Sequence, residues 1–317
     1  STADASYSLS FGSGSTSLNS GTIAIGKSAI SGTLLTSSEN SIAIGSGSKA
    51  QGVSAIAFGN GASSSADFAI SIGDGSSATK ANAVALGAGS QATGENSLAL
   101  GAGSSASASG AVAIGAFSNA AGENAIAIGF GACAASKNSF VLGAGAKAIG
   151  ENAGAIGHSA LTNGIDAMAI GVKANATGNY AYALGTNSRA TNTGAIAIGT
   201  NAIANGANAS AIGTNARASG TESIAIGFNS LATEDRSFVI GACAQACQAG
   251  AGAIAANAKA NGTDSLAIGV NSVANGDSSI AIGVNSSAVL DNALSVGTNS
   301  LSSGENATAV AYFANAS

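Results

Sequence analysis

The sequence predicts an all-β fold, a parallel β-solenoid, and three observations carry that prediction. A glycine returns every 14 residues along nearly the whole chain. Large apolar residues alternate with small ones just before each such glycine. Gly and Asn recur at fixed positions after it, where a chain that turns back on itself needs them.

The marker glycine closes the tetrapeptide Ile-Ala-Ile-Gly and its variants. It falls at Gly45, Gly59, Gly73, Gly87, Gly101 and onward in the same step to Gly241. The series passes through Ala255 and continues at Gly269, Gly283, Gly297 and Ala311; backwards it is met at Gly26 and Gly12. The gap from Gly26 to Gly45 is 19, which implies a five-residue insertion around Ile30 to Thr36. The 22 repeats cover residues 1–317, so the chain reads as one repeat domain with no linker and with ends that act as caps or joints.

One and three residues before the marker stand large apolar side chains, such as Ile126 and Ile128, with Ala127 between them. Alternation at period two is the signature of a strand. The large residues are expected to face into the coil, which makes Phe58, Phe140, Phe238 and Tyr182 core. The intervening alanines (Ala43, Ala57, Ala85, Ala99, Ala113, Ala127) are then expected to form an outward apolar wall. Continuous apolar surface favours burial against another chain, so an oligomer aligned along the array is expected. Three and five residues after the marker come small residues, such as Ser48 and Ala50 or Ala216 and Ala218, a second short strand. Between them Lys49, Lys147, Arg189, Arg217 and Lys259 are expected to face water.

Two residues after the marker the early repeats carry Gly (Gly47, Gly89, Gly103) and later ones Asn (Asn201, Asn215, Asn271). Gly and Asn share tolerance of positive φ, so this slot is predicted to be left-handed and to make the first turn. A second Gly follows at positions such as Gly52, Gly94 and Gly150, often before an acid and Asn, as in Gly94-Glu95-Asn96, and makes the second turn. Each repeat is thus strand, turn, strand, turn. Coils stacked at a strand spacing of about 4.8 Å would give an array ~105 Å long.

Composition removes several function classes. The chain has 317 residues, 46 of them Gly, with no Pro or Trp, and 46% are hydrophobic. Gly without a three-residue period and without Pro excludes collagen; abundant Ile, Leu, Val and Ala argue against disorder. The balance of 10 basic against 15 acidic residues, net −5, does not suit a nucleic-acid partner. No apolar run approaches the length of a membrane-spanning helix, so no direct membrane insertion by these residues is expected. No signal peptide is visible in Ser-Thr-Ala-Asp-Ala-Ser-Tyr-Ser.

Catalytic chemistry has little to work with, and no enzyme, cofactor or metal site is expected. The lone His158 sits one residue after a marker glycine and reads as a turn residue. Hexapeptide, calcium-roll, EF-hand and dinucleotide-binding patterns do not fit. Cys133, Cys243 and Cys247 are spaced for neither zinc nor a thioredoxin-type pair, which leaves free thiols or interchain disulfides. Phe117, Phe130 and Phe228 fall just after a marker and are the candidate contact aromatics. Tyr7, Phe11, Tyr312 and Phe313 are candidates to cap the array or join it end to end. A threonine column for ice binding (Thr79, Thr93, Thr177, Thr191, Thr233) is interrupted by other residue types.

Repeats such as Glu-Asn-Ala-Ile-Ala-Ile-Gly-Phe-Gly-Ala-Cys-Ala-Ala-Ser (123–136) and the equivalent 95–108 resemble the head repeat of YadA-like trimeric autotransporter adhesins, over essentially the whole chain. The resemblance implies a left-handed parallel β-roll, a homotrimeric head and display on the surface of a Gram-negative cell. It also implies attachment to host matrix proteins, host cells or other bacteria. The chain shows no heptad stalk, neck or anchor strands, so outer-membrane attachment is expected to depend on residues outside it. The family's heads usually lack Cys, which this chain has. The expected function is a non-enzymatic extracellular adhesin head with multivalent contacts. The alternative is a structural subunit of a self-assembling filament or of a phage or virus fibre shaft.

Overall fold

A computed structural model describes residues 1–34 and 38–317. Among the described residues the regular structure is all strand, in pieces of two or three residues, with no helix. Three-residue strands precede the marker glycine, as in β18 (Ile126–Ile128); two-residue strands follow it, as in β19 (Cys133–Ala134). Each strand pairs in parallel with its equivalent 14 residues away, so that Ala127 stands between Ala113 and Val141. About 22 such turns make an all-β parallel solenoid.

The pairings also locate the irregular repeat. Thr16 pairs with Ile30 at the normal step, whereas Ile23 pairs with Ile42 and Ser31 with Ala50 at 19. The five extra residues therefore fall between Ser31 and Ile42. Residues 35 and 36 of the expected insertion, together with residue 37, lie outside the described residues.

Two compact units divide the chain, Ser1–Ser159 and Ala160–Ser317. In the first, β2 (Leu9–Phe11) to β22 (Gly154–Ile156) supply one parallel ladder. The other runs from β1 (Thr2–Ala3) to β21 (Lys147–Ala148). In the second unit β24 (Met168–Ile170) to β44 (Thr308–Val310) form the three-residue ladder. Its two-residue ladder runs from β23 (Leu161–Thr162) to β45 (Asn315–Ala316).

The core corrects the expected orientation of the three-residue strands. Ala43, Ala57, Ala85, Ala99, Ala113 and Ala127 are fully buried, and the large residues beside them face outward. In the coil around Gly129 the interior is filled by Ala125, Ala127, Ala132 and Ala134, all at 0% exposure. Only 14 residues close a coil, so its two walls lie too close together for anything but small side chains. The largest fully buried side chains are Val141 and Val239, followed by Thr22 and Thr162. Phe58 and Tyr182 are consequently half exposed rather than core, and Phe140 and Phe238 are only partly covered.

Serine substitutes for alanine inside where its hydroxyl has a carbonyl within reach, although the buried Ser279 hydroxyl has no partner among the described residues. Ser48 donates to the Gly45 carbonyl (2.9 Å) and Ser97 to that of Gly94 (2.6 Å), a pattern repeated along both units. A buried hydroxyl so paired escapes most of its desolvation penalty. Alanine burial removes little apolar area per coil, so cohesion rests on the repeated parallel ladders and on each coil's contact with its neighbours.

Candidate interaction surfaces

With the interior closed to all but small side chains, the charged, aromatic and large apolar residues are displayed on one of four surfaces: two walls and two turns. The apolar wall comes first. In the first unit the slots one and three before the marker, from Leu9 to Ile156, hold only Ile, Leu, Val, Phe and one Gly. Ile72 and Leu100 are each 40% exposed and Leu142 43%. The second unit continues the pattern with Met168, Tyr182, Ser210 and Thr308 as its departures. There a shallow apolar groove of about 270 Å³ runs between Met168, Tyr182 and Ile196 on one side and Ile170, Leu184 and Ile198 on the other. Soluble monomers rarely expose contiguous apolar patches beyond a few hundred Å², and these columns carry no charge at all. The sequence reading names the right strand as the apolar surface but the wrong side chains on it.

The opposite wall is polar. Lys49, Gln91, Asn119, Lys147, Arg189, Arg217 and Lys259 are exposed on the two-residue strands, and Cys133 is half-buried in the same column. Among the described residues all three cysteines are half-buried free thiols, with Cys243 in the first turn and Cys247 just before the second.

The first turn is held by a left-handed residue two after the marker. Its φ is +66° at Gly47, +64° at Gly89 and +63° at Gly103, and +57° at Asn201, +58° at Asn215 and +59° at Asn271. The asparagines add a ladder of amide hydrogen bonds up the second unit. Asn201 donates to Asn215 (3.2 Å), Asn215 to Asn229 (3.0 Å), Asn257 to Asn271 (3.2 Å) and Asn271 to Asn285 (3.2 Å). Cys243, at φ +57°, stands in this column between Asn229 and Asn257.

Phe117 takes the same left-handed slot in the first unit, at φ +58°, where its neighbours two coils either way are glycines. Its ring is 63% exposed and meets Phe130, also 63% exposed, edge to face at 5.8 Å. Phe228 is 53% exposed at the equivalent turn of the second unit. Positive φ in a bulky residue is strained, so an exposed ring held there is a marked feature of this edge. His158 is exposed in its turn, 3.3 Å from the Ser159 hydroxyl.

The second turn gives several aspartates of the repeat a structural role. The Asp67 carboxylate accepts from the Val53 backbone N–H (2.9 Å) one coil back, Asp235 from Thr221 (2.7 Å) and Asp277 from Thr263 (2.7 Å). These side chains tie coil to coil. Lys137 and Glu123 make a surface ion pair at 3.3 Å. Among the described residues no three His, Cys, Asp or Glu side chains gather as metal ligands. Tyr7 and Phe11 are exposed in the first coil of the first unit. Tyr312 and Phe313 are exposed in the last coil of the second, their rings 4.3 Å apart.

Fold and surfaces together define a repeat protein that works through its exterior. The family model described as "YadA head domain repeat (2 copies)" matches residues 37–62, 50–76, 78–104, 106–132, 163–188, 190–216, 218–242, 260–286 and 291–310, well over half of the chain. The chain belongs to the YadA head repeat family. No curated protein matches it.

Proposed function

We propose that this chain is the head of a trimeric autotransporter adhesin, displayed outside a bacterial cell. In this reading three copies pack by their apolar walls, and the polar wall and turns face outward. Membership of the YadA head family supports it, since that family's function is of the trimeric adhesin type and generally not enzymatic. The observation that carries it is the uncharged apolar wall, which a soluble chain covers by association. The head attaches to host matrix proteins, host cells or other bacteria through weak contacts multiplied by three copies. Phe117, Phe130 and Phe228 are the residues we assign to such contacts.

The test is the mass and form of the particle by light scattering and negative-stain imaging, followed by binding to immobilised matrix proteins and to cells. A discrete three-chain particle that binds supports the adhesin head. Long filaments would instead favour a structural subunit, and a monodisperse monomer would overturn the packing.

A further inference from the structure

A perfectly regular wall has no preferred register. From Ile70 to Ile128 each coil of the first unit presents an aliphatic pair. A second such wall slid along it by one coil, about 4.8 Å, again meets aliphatic with aliphatic. The same degeneracy leaves register weakly specified in featureless strands. In coiled coils it is broken by a position that departs from the pattern.

Phe58, Met168, Tyr182, Ser210 and Thr308 each exchange a single tooth, but each unit also contains one departure that removes a tooth, of the same design in both. Phe238 pairs with Gly252 in the next coil, and a β-carbon built on Gly252 would lie 2.2 Å from Cζ of the Phe238 ring. The ring therefore lies over the glycine backbone, and Gly252 is buried although its slot faces outward. Phe140 pairs with Gly154 in the same way, and Gly154 is buried too. Behind each ring the usual core alanine is replaced by Val141 or Val239, the two largest fully buried side chains. Two aliphatic teeth are thus replaced by one aromatic plate spanning two coils. The whole arrangement recurs at an offset of 98 residues: Phe130 and Phe228, Phe140 and Phe238, Val141 and Val239, Gly154 and Gly252.

The surface that meets this wall must share its axial period to keep contact over many coils, and must be uncharged. A second copy of this chain satisfies both conditions by construction. We propose that the two Phe–Gly steps fix the axial register at which copies pack wall to wall, each copy contributing its own Phe140 and Phe238 plates to the contact. The proposal rests on the oligomeric head described above.

Spin labelling tests it. A nitroxide at Lys49→Cys on one copy and a gadolinium label at Lys147→Cys on another, both in a background carrying Cys133→Ser, Cys243→Ser and Cys247→Ser, sit on the polar wall away from the contact. They are seven coils or about 34 Å apart along the axis, so an axial slip changes their separation by several ångström. Pulsed dipolar spectroscopy on the parent oligomer is expected to give one narrow distance. The variant Phe140→Ile/Gly154→Ile/Phe238→Ile/Gly252→Leu, which restores regular teeth, is expected to keep its mass and gain a second population displaced by one coil, about 4.8 Å along the axis. Phe140→Leu/Phe238→Leu keeps both glycines and the core, and is expected to broaden the distribution in the same sense, so the test survives if the fourfold variant fails to fold. A narrow, unshifted distance in an oligomer of either variant overturns the register assignment and leaves the oligomeric reading standing. A monomeric parent overturns both.

Discussion

The α-carbon of Gly45 faces the carbonyl oxygen of Gly59, one coil on, so closely that a β-carbon at Gly45 would lie 2.2 Å from it. The same approach recurs from Gly59 to Gly73 (2.3 Å) and from Gly87 to Gly101 (2.7 Å). Marker glycines are therefore required twice over, by this contact and by φ values such as +134° at Gly45. Gly87→Ala is expected to destabilise the array by at least about 1–3 kcal/mol, the usual cost of a side chain in such a backbone region. The reverse change is informative because Ala255 already occupies a marker slot at φ +101°. Ala255→Gly is expected to stabilise by about 1 kcal/mol after the added unfolded-state entropy is subtracted. Unfolding midpoints of the two variants should move in opposite directions.

The narrow interior gives a second contrast. Ala127 is fully buried between two walls that admit at most valine elsewhere. Ala127→Leu is expected to cost about 3 kcal/mol or more, at or beyond the upper end for overpacking, because neither wall can retreat without breaking a ladder. Ala132→Ser is expected to stay within about 0.5 kcal/mol of the parent. The slot three after the marker is where Ser48, Ser76 and Ser90 bond the marker carbonyl. Chemical denaturation of both variants checks the pair.

Periodicity made most of this fold legible. The repeat step, the two strands and the left-handed first turn are all readable from spacing and residue type. The sign of the alternation is not. Ile126-Ala127-Ile128 says that neighbours face opposite ways, but not which way is in. That depends on how far apart the walls of a closed coil stand. The small residue four before the marker, such as Ala125, is the signal that decides it, because it shares the side of Ala127. The Phe–Gly steps were hidden for another reason: each departs from a repeat of 14, and they match only one another, 98 residues apart.

Cys243 offers a test of the first-turn ladder. It stands between Asn229 and Asn257 in a column otherwise linked by amide hydrogen bonds, and it holds a positive φ that Asn tolerates better. Cys243→Asn is expected to extend the ladder and raise stability by about 0.5–1.5 kcal/mol, the net worth of a hydrogen bond. A lower melting temperature would contradict this account of the turn.

Phe117 separates stability from recognition. Phe117→Asn places a residue suited to φ +58° in the slot and removes the edge-to-face contact with Phe130. Relief of strain and loss of an aromatic pair worth about 0.5–1.5 kcal/mol roughly offset each other, so the melting temperature should change little. If the exposed pair is a contact point, surface attachment of the folded protein should fall several-fold, measured on immobilised matrix proteins. Unchanged attachment would remove Phe117 from the contact set.

The apolar wall yields the last prediction. Leu100 and Ile128 belong to one outward column, three and two coils short of Leu142 and Ile156 at its far end in the first unit. Their side chains reach out of the coil, so replacing them leaves the Ala99 and Ala127 interior and the backbone ladders untouched. Leu100→Glu/Ile128→Glu is therefore expected to leave the circular dichroism spectrum and coil structure intact. Across a packed interface, however, each carboxylate would be buried without a partner, at a cost of several kcal/mol per copy. If three copies pack by this wall as proposed, the measured mass should drop from three chains to one while the fold survives. The same pair changed to Val, which keeps the surface apolar, should preserve the parent mass. A charged variant that remains fully oligomeric would place the contact between copies on another face.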